Sequence, residues 1–494
     1  MSVDSQFGLF GAIDRHNLGD LLMPWCFERL LQEQAGPWLS LDAEMSDLEE
    51  RVGAESIESW HKRGGRSVLH VGGDILSCDW EIAHSFVSTE YKNQNSRPFP
   101  YLLPNGEGAS SWENRFIYGA GGTGIESLTS EQKTNLKKTL TGMKIVVRDH
   151  SAHEALTELE IESKVAPCIV TLYPHLTDHH VDQGDNPIVF QASDTVAHKF
   201  GERIVTGLSC LAESMNNRRI VIVPAGLALG HDSFKSAVLL RQRLLKKGCQ
   251  AEVLLEANPH SVAAVVANAG LVISSSLHLR ILAIANSVPR VSFKIPKIET
   301  YIHNWDPGGL LVSDSDDLFD QAQAALEVTA SDLKATADMN YETVCQEVSK
   351  LFELNNMKER TQISDALQED RWSADQWLKD AFNKSLNDLA DLVDIERTRS
   401  EEFSGQRDHY EGLKDLAERK QKEAENKAEQ TKNELEQAED LAKEFKGQRD
   451  HYQGLFQKER SDLETILQSN SWKMTKPLRL VKEGILQLKG RFAK

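Results

Sequence analysis

Ser67-Val-Leu-His-Val71 runs into Gly72-Gly73, and Phe116-Ile-Tyr118 runs into Gly119-Ala-Gly-Gly-Thr-Gly124. Each is a short apolar stretch that stops in glycine. Such runs, when they pass into amphipathic segments, read as βαβ units of a parallel sheet. Reading outward, Phe7-Gly-Leu-Phe-Gly-Ala-Ile13 is a further strand, followed by a helix predicted over residues 20–34. Lys144-Ile-Val-Val-Arg148 is another, followed by a helix over residues 151–159. A second series comprises Ile188-Val-Phe190, Arg219-Ile-Val-Ile-Val223, Ala251-Glu-Val-Leu-Leu255, Leu271-Val-Ile-Ser274 and Arg290-Val-Ser-Phe293. Helices predicted over residues 196–215, 233–247 and 261–269 separate these strands.

The expected fold class is therefore α/β, with two Rossmann-like domains over residues 1–175 and 176–314 in a glycosyltransferase-B-like arrangement. Ligands of such sheets sit outside the C-terminal ends of the strands, where the glycine-rich and polar loops fall. A helical segment is expected over residues 315–395, and a coiled coil over 396–470. Within the latter, Gly405-Gln-Arg-Asp-His-Tyr410 recurs as Gly447-Gln-Arg-Asp-His-Tyr452, a spacing that keeps the seven-residue phase. A solvated single helix is the plainer reading of that stretch; the heptad match favours a coiled coil that makes the protein a homo-oligomer.

At 494 residues the chain exceeds one hydrophobic core, and 40% hydrophobic with 27% charged residues describes a soluble globular protein. No stretch approaches the ~20 apolar residues of a membrane-spanning helix. The first residues carry no basic region before an apolar run, so a cytoplasmic location is expected. The six cysteines form no Cys-x-x-Cys pair and read as small buried residues in a reducing compartment. The net charge of -19 argues against nucleic acid as a partner. Residues 471–494 are the exception: Lys473, Lys476, Arg479, Lys482, Lys489 and Arg491 make a basic tail. Leu478, Val481, Ile485 and Leu488 recur there at helical spacing, so the tail is expected to touch the inner face of a membrane or to dock on protein.

Five blocks carry the chemistry. Asn17-Leu-Gly-Asp20 follows the first strand, and His70-Val-Gly-Gly-Asp74 ends the second. Tyr118-Gly-Ala-Gly121, Val147-Arg-Asp149 with Ser151, and Ser276-Leu-His278 before Val288-Pro289 and Phe293 complete the set. In this order the blocks resemble the polysaccharide pyruvyl transferase family, and the tail resembles those appended to bacterial surface-polysaccharide enzymes. The family's arginine before Leu-His is Ser276 here, with Arg280 as the expected substitute.

The resemblance implies transfer of a pyruvyl group from phosphoenolpyruvate to sugar hydroxyls of a bacterial surface glycan or its precursor, without a cofactor. Such chemistry requires an acid for the vinyl carbon, a base for the attacking hydroxyl, and donors for carboxylate and phosphate. His278 and Asp20 are the expected catalytic residues; Asn17, Gly19, Gly72, Gly73, Gly121, Arg148 and Arg280 are the expected substrate-binding set. The plainer reading makes His278 a helix-end histidine, Asp20 a helix cap and Arg148 an ion pair with Asp149. His231-Asp232 is a further candidate for phosphate. His175, His179 and His180 with Asp178 read as an interdomain linker, so no metal site is expected. Two alternatives remain: a nucleotide-sugar glycosyltransferase of similar fold, and a catalytically degenerate relative acting as a coiled-coil scaffold.

Overall fold

In a computed structural model of the chain, the structure describes residues 6–41, 52–86, 97–104, 112–177, 186–227, 231–254, 258–313, 317–354 and 357–361. The expected coiled coil, the basic tail and the rest of the helical segment beyond residue 361 lie outside these residues, as do Asp178, His179 and His180.

Among the described residues the first sheet has seven strands: β1 (Phe7–Phe10), β2 (Ala35–Ser40), β3 (Glu55–Ser56), β4 (Ser67–Gly73), β5 (Asn114–Ala120), β6 (Lys144–Val147) and β7 (Lys164–Val165). Their spatial order is β3-β2-β1-β4-β5-β6-β7, with every pair parallel. The second sheet has six: β8 (Ile188–Gln191), β9 (Ile220–Ile222), β10 (Ala251–Val253), β11 (Leu271–Ser274), β12 (Arg290–Phe293) and β13 (Leu310–Val312). Their order is β10-β9-β8-β11-β12-β13, again parallel throughout. Both are doubly wound sheets, reversing direction between β1 and β4 and between β8 and β11. Loops leaving strands at such a reversal are splayed apart and leave a crevice.

Helices cover the sheets, so central strands are buried on both faces and read as nearly unbroken apolar runs. The helix Leu18–Leu31 is the extreme case, with charged or polar groups almost absent from its buried surface. It belongs to an apolar cluster that also takes Leu69 and Phe116 of the first sheet and Val221, Val272 and Leu279 of the second half. One continuous core therefore joins the two halves. The helix Ala330–Phe352 packs into the same core through Val344, Val348 and Phe352, and Phe352 meets the rings of Phe7, Phe116 and Phe27 at centroid distances of 5.3, 5.2 and 6.0 Å. No helix among the described residues is long and apolar enough to cross a membrane.

Some local expectations give way to tertiary structure. The helix predicted over residues 196–215 is two helices, Asp194–Phe200 and Glu202–Ser214, broken at Gly201 with φ of +44°. Strand β4 runs on through Gly72 and Gly73, and Gly73 still pairs with Ala120. Within it His70 is wholly buried, its Nδ1–H donating to the Phe116 carbonyl at 2.8 Å while Nε2 accepts from the Leu103 N–H at 3.0 Å. Burial lowers its pKa to about 4, the neutral state these bonds require.

Candidate active site

The loops that follow β1, β4, β8 and β11 open onto one cleft of about 640 Å³ between the two sheets. Asn17 lines it. The Asn17 side chain caps the helix Leu18–Leu31, accepting from the Gly19 N–H at 3.2 Å, and its amide nitrogen lies 3.4 Å from Nε2 of His231. The main chain joins there as well: the Leu18 N–H donates to the Ala225 carbonyl at 2.8 Å, and Asn17 forms a β-bridge with Gly226.

His278 arrives from the other side, in the first turn of the helix Leu277–Ala285. Ser276 caps this helix, its hydroxyl accepting from the Leu279 N–H at 3.5 Å, which gives the residue a structural duty in place of a charge. The imidazole lies against Gly19, where a Cβ would stand 1.9 Å from Nδ1. His278 is 8% exposed and lines the cleft, yet its Nε2 has no hydrogen-bond partner. Burial, together with the positive charges of Arg148 and Lys297, lowers its pKa to about 3 against the pull of Asp74.

Asp20, one helical position past Gly19, also lines the cleft. Burial raises its pKa to about 6, although Arg15, 3.8 Å away, opposes the rise. Arg148 leaves the end of β6 and pairs with Asp74, and its Nε lies 3.6 Å from Asp149. Burial pushes the Asp74 carboxyl up, but Arg148, Lys297 and His278 outweigh it and hold the pKa below the usual carboxylate value. Gly121 makes room for this pair: a Cβ there would lie 2.2 Å from the Arg148 Nη2 and 2.5 Å from Asp74 Oδ1. Gly73, at φ of +76°, lets the strand end approach Asp20, whose Oδ1 would sit 3.0 Å from a Cβ.

The cleft thus gathers Asn17, Asp20, Gly73, Arg148 and His278 from distant parts of the chain. Four members of the expected set are not among the cleft-lining residues; Gly19 and Gly121 stand behind it as the spaces that take His278 and the Arg148–Asp74 pair. Gly72 is a packing glycine, its missing side chain replaced by Met23, whose Sδ would be 1.8 Å from a Cβ. Arg280 is fully buried behind the site, where Nε donates to Asp306 at 2.9 Å and Nη1 to the Ser292 hydroxyl at 2.9 Å. It points away from the cleft because it sits two residues past His278, on the opposite side of the helix. Arg280 is therefore not the cleft-facing substitute for the family arginine.

The cleft also holds Arg15, Asp74 and Lys297, none of which the sequence reading placed in the site. Asp74 was within reach, since it ends the His70-Val-Gly-Gly-Asp74 block. Lys297 carries no motif, and its only signal is its place just beyond the C-terminal end of β12. His231 and Asp232 line the wall on the side of the second sheet; Asp232 accepts from the Gln191 amide at 2.9 and 3.0 Å and from the Ala225 N–H at 2.7 Å. Burial nevertheless raises the Asp232 pKa to about 7. Tyr301 is buried in the core, and Trp305 donates to the Arg148 carbonyl at 2.6 Å, so neither aromatic lines the cleft. His175 packs on Tyr341. Among the described residues, no three His, Cys, Asp or Glu side chains group closely enough to hold a metal ion.

A family model for polysaccharide pyruvyl transferase matches residues 17–295, more than half of the chain, from the helix cap at Asn17 to the loop after β12. The chain belongs to the polysaccharide pyruvyl transferase family. The matched span takes in both walls of the cleft. No curated protein matches the chain significantly. Among solved structures, this pyruvyl transferase family member is similar to TarM at 14% identity and a TM-score of 0.31, covering 49% of this chain and 50% of that one. The chain thus spans about half the length of TarM. WaaG, a glycosyltransferase involved in lipopolysaccharide biosynthesis, aligns at 13% identity and a TM-score of 0.29, covering 51% of this chain and 78% of that one. A mutant of the O-GlcNAc transferase of Thermobaculum terrenum aligns at 12% identity and a TM-score of 0.36, covering 72% and 66% respectively.

Proposed function

We propose that this protein transfers a pyruvyl group from phosphoenolpyruvate to two hydroxyls of a sugar in a bacterial surface glycan or its precursor. The observation that carries this reading is the His278 imidazole, buried with an unpartnered Nε2 in a cleft that also holds Asp20 and Arg148. A proton delivered to the vinyl CH2 of the donor makes a methyl group and leaves an electron-poor C2. The first sugar hydroxyl attacks C2, the bond from C2 to the phosphate oxygen breaks, and the second hydroxyl closes the ketal. Of the two hydroxyl protons, one replaces the proton given to carbon and the other leaves with phosphate.

His278 supplies the acid. Its pKa of about 3 makes it neutral at neutral pH; an anionic donor beside Nε2 favours the imidazolium, so donor binding promotes protonation of the acid that the reaction uses. Asp20, with a pKa of about 6, is ionised at neutral pH and basic enough to take a hydroxyl proton. The planar guanidinium of Arg148 suits the donor carboxylate.

The test is phosphate release from phosphoenolpyruvate with a glycan acceptor, alongside a mass increase of the acceptor equal to a pyruvyl ketal. His278→Ala abolishes release while leaving Tm nearly unchanged. Retained turnover with a large loss of Tm makes His278 structural and defeats the assignment. Stabilisation of the protein by a nucleotide-sugar and not by phosphoenolpyruvate moves it to the glycosyltransferase reading.

A further inference from the structure

We propose that Arg15 is a positioning residue for Asp20, its guanidinium held between the carboxylates of Asp14 and Asp20 while Tyr101 fixes the first of them. The inference rests on the reading of Asp20 as the base for the sugar hydroxyl. Asp14 and Arg15 lie in the loop after β1, and Asp20 in the first turn of the helix that this loop enters. The Nε of Arg15 stands 3.6 Å from Asp14 Oδ1 and 3.8 Å from Asp20 Oδ2. The Tyr101 hydroxyl donates to Asp14 Oδ2 at 2.6 Å, and the centre of the Tyr101 ring lies 5.0 Å from the Arg15 Cζ, within cation–π reach. One aromatic residue thus bonds the carboxylate and carries the guanidinium. The Asp14 side chain is sealed in at 1% exposure, whereas Arg15 and Asp20 both line the cleft.

Tyr101 is itself pinned. It is buried, and its segment is tied down on both sides: the Leu103 N–H donates to Nε2 of the buried His70 at 3.0 Å, and the Arg97 carbonyl accepts from the Trp80 indole at 2.6 Å. Among the described residues the ion pair with Arg15 is the one polar contact of the Asp20 carboxyl. The guanidinium therefore decides where that carboxyl points. Charge follows the same geometry. Burial raises the Asp20 pKa, Arg15 opposes the rise most strongly, and Asp14 works against Arg15. From the other elements packed around it, Asp20 faces Asp74 after β4, Arg148 after β6 and Lys297 in the helix after β12. A guanidinium given wholly to Asp20 leaves a weak base, and no guanidinium leaves a carboxyl protonated at neutral pH. Sharing it with Asp14 leaves Asp20 ionised and still basic.

The experiment follows two readouts across pH 5–9 in the full chain and in Arg15→Gln, Arg15→Lys and Asp14→Asn, with Tm checked for each. One is kcat/KM for phosphate release from phosphoenolpyruvate with a glycan acceptor. The other is the Asp20 titration itself, by carbon-13 NMR of protein labelled at its aspartate carboxyls, the signal assigned by its loss in Asp20→Asn. Arg15→Gln is expected to move the Asp20 titration and the acid-side fall of kcat/KM up by about one pH unit or more. At pH 5 its kcat/KM then lies about tenfold further below the plateau than that of the wild type. Arg15→Lys restores most of the difference, and Asp14→Asn moves both readouts to lower pH. An Asp20 titration that stays in place in folded Arg15→Gln and Asp14→Asn overturns the proposal. So does a shift of the same sign in both, which makes Arg15 a structural prop. If the titration moves in the two opposite directions but the wild type releases no phosphate from phosphoenolpyruvate, the coupling of Arg15 to Asp20 stands and the pyruvyl-transfer reading falls.

Discussion

Gly19 and His278 meet between the two sheets, with the imidazole occupying the space where a side chain on Gly19 would be. The absence of a Cβ at the start of the helix Leu18–Leu31 thereby fixes where the ring carried by the helix Leu277–Ala285 can lie. Alanine is a better helix former than glycine by roughly 1 kcal/mol, so Gly19→Ala does not threaten its own helix. The methyl group instead displaces the ring. The expected result is a fall in kcat/KM of about 100-fold or more with a much smaller change in Tm, read from phosphate release and thermal melting.

Asp20 gives a pH signature of known sign. Its folded pKa of about 6 lies above the ordinary value of 3.8, so the fold binds this proton more tightly than the unfolded chain does. The stabilisation is fully present below about pH 4 and is lost as pH rises through 6. Asp20→Asn is therefore expected to raise stability at pH 7–8, by on the order of 1–3 kcal/mol, and to gain nothing near pH 4. If Asp20 is the base, the same substitution removes an acid-side limb near pH 6 from the profile of kcat/KM. Melts and rates measured across pH 4–8 check both.

Gly121 guards the pairing of Arg148 with Asp74. A methyl group at this position cannot be placed without moving the guanidinium or the carboxylate. Gly121→Ala is expected to raise KM for the donor roughly tenfold by misplacing Arg148, with kcat less affected. Equal kinetics in the variant would mean that the pair is not needed in its observed position.

Asp306 serves stability without touching the cleft. It pairs with both Arg280 and Arg290 in the buried region behind the Leu277–Ala285 helix, and burial lowers the Arg280 pKa to about 10 even against Asp306. Replacing one anion that serves two guanidinium groups leaves positive charge uncompensated, at a cost of about 3–5 kcal/mol. Asp306→Asn is expected to shift the urea midpoint strongly downward. Donor affinity at low temperature, where the variant remains folded, is expected to stay within about twofold.

The alternation of apolar runs with amphipathic stretches made the two parallel sheets legible, because strands buried on both faces must be apolar along their length. β11 and β12 match their sequence bounds. β2 was missed because Ala35-Gly-Pro-Trp-Leu-Ser40 opens with turn residues, and its pairing with β1 overrides that local preference. Three-residue β13 is held by β12 and not by propensity. In the cleft, residues lodged in glycine- or histidine-bearing blocks were readable, since a motif marks where backbone must come close or a proton must move. Lys297 and Arg15 were not, because only the fold brings a surface-type cation to the wall of a cleft. Arg280 shows the converse: proximity in sequence to His278 put it on the wrong side of its helix.

The hydrogen bond from Leu18 to Ala225 and the bridge from Asn17 to Gly226 join the two halves through peptide groups, at residues that border the cleft. No replacement of side chains removes that seam, because it is made of main-chain donors and acceptors. Sequence change in the cleft can therefore alter its charges and its width without unfastening the two walls at this point.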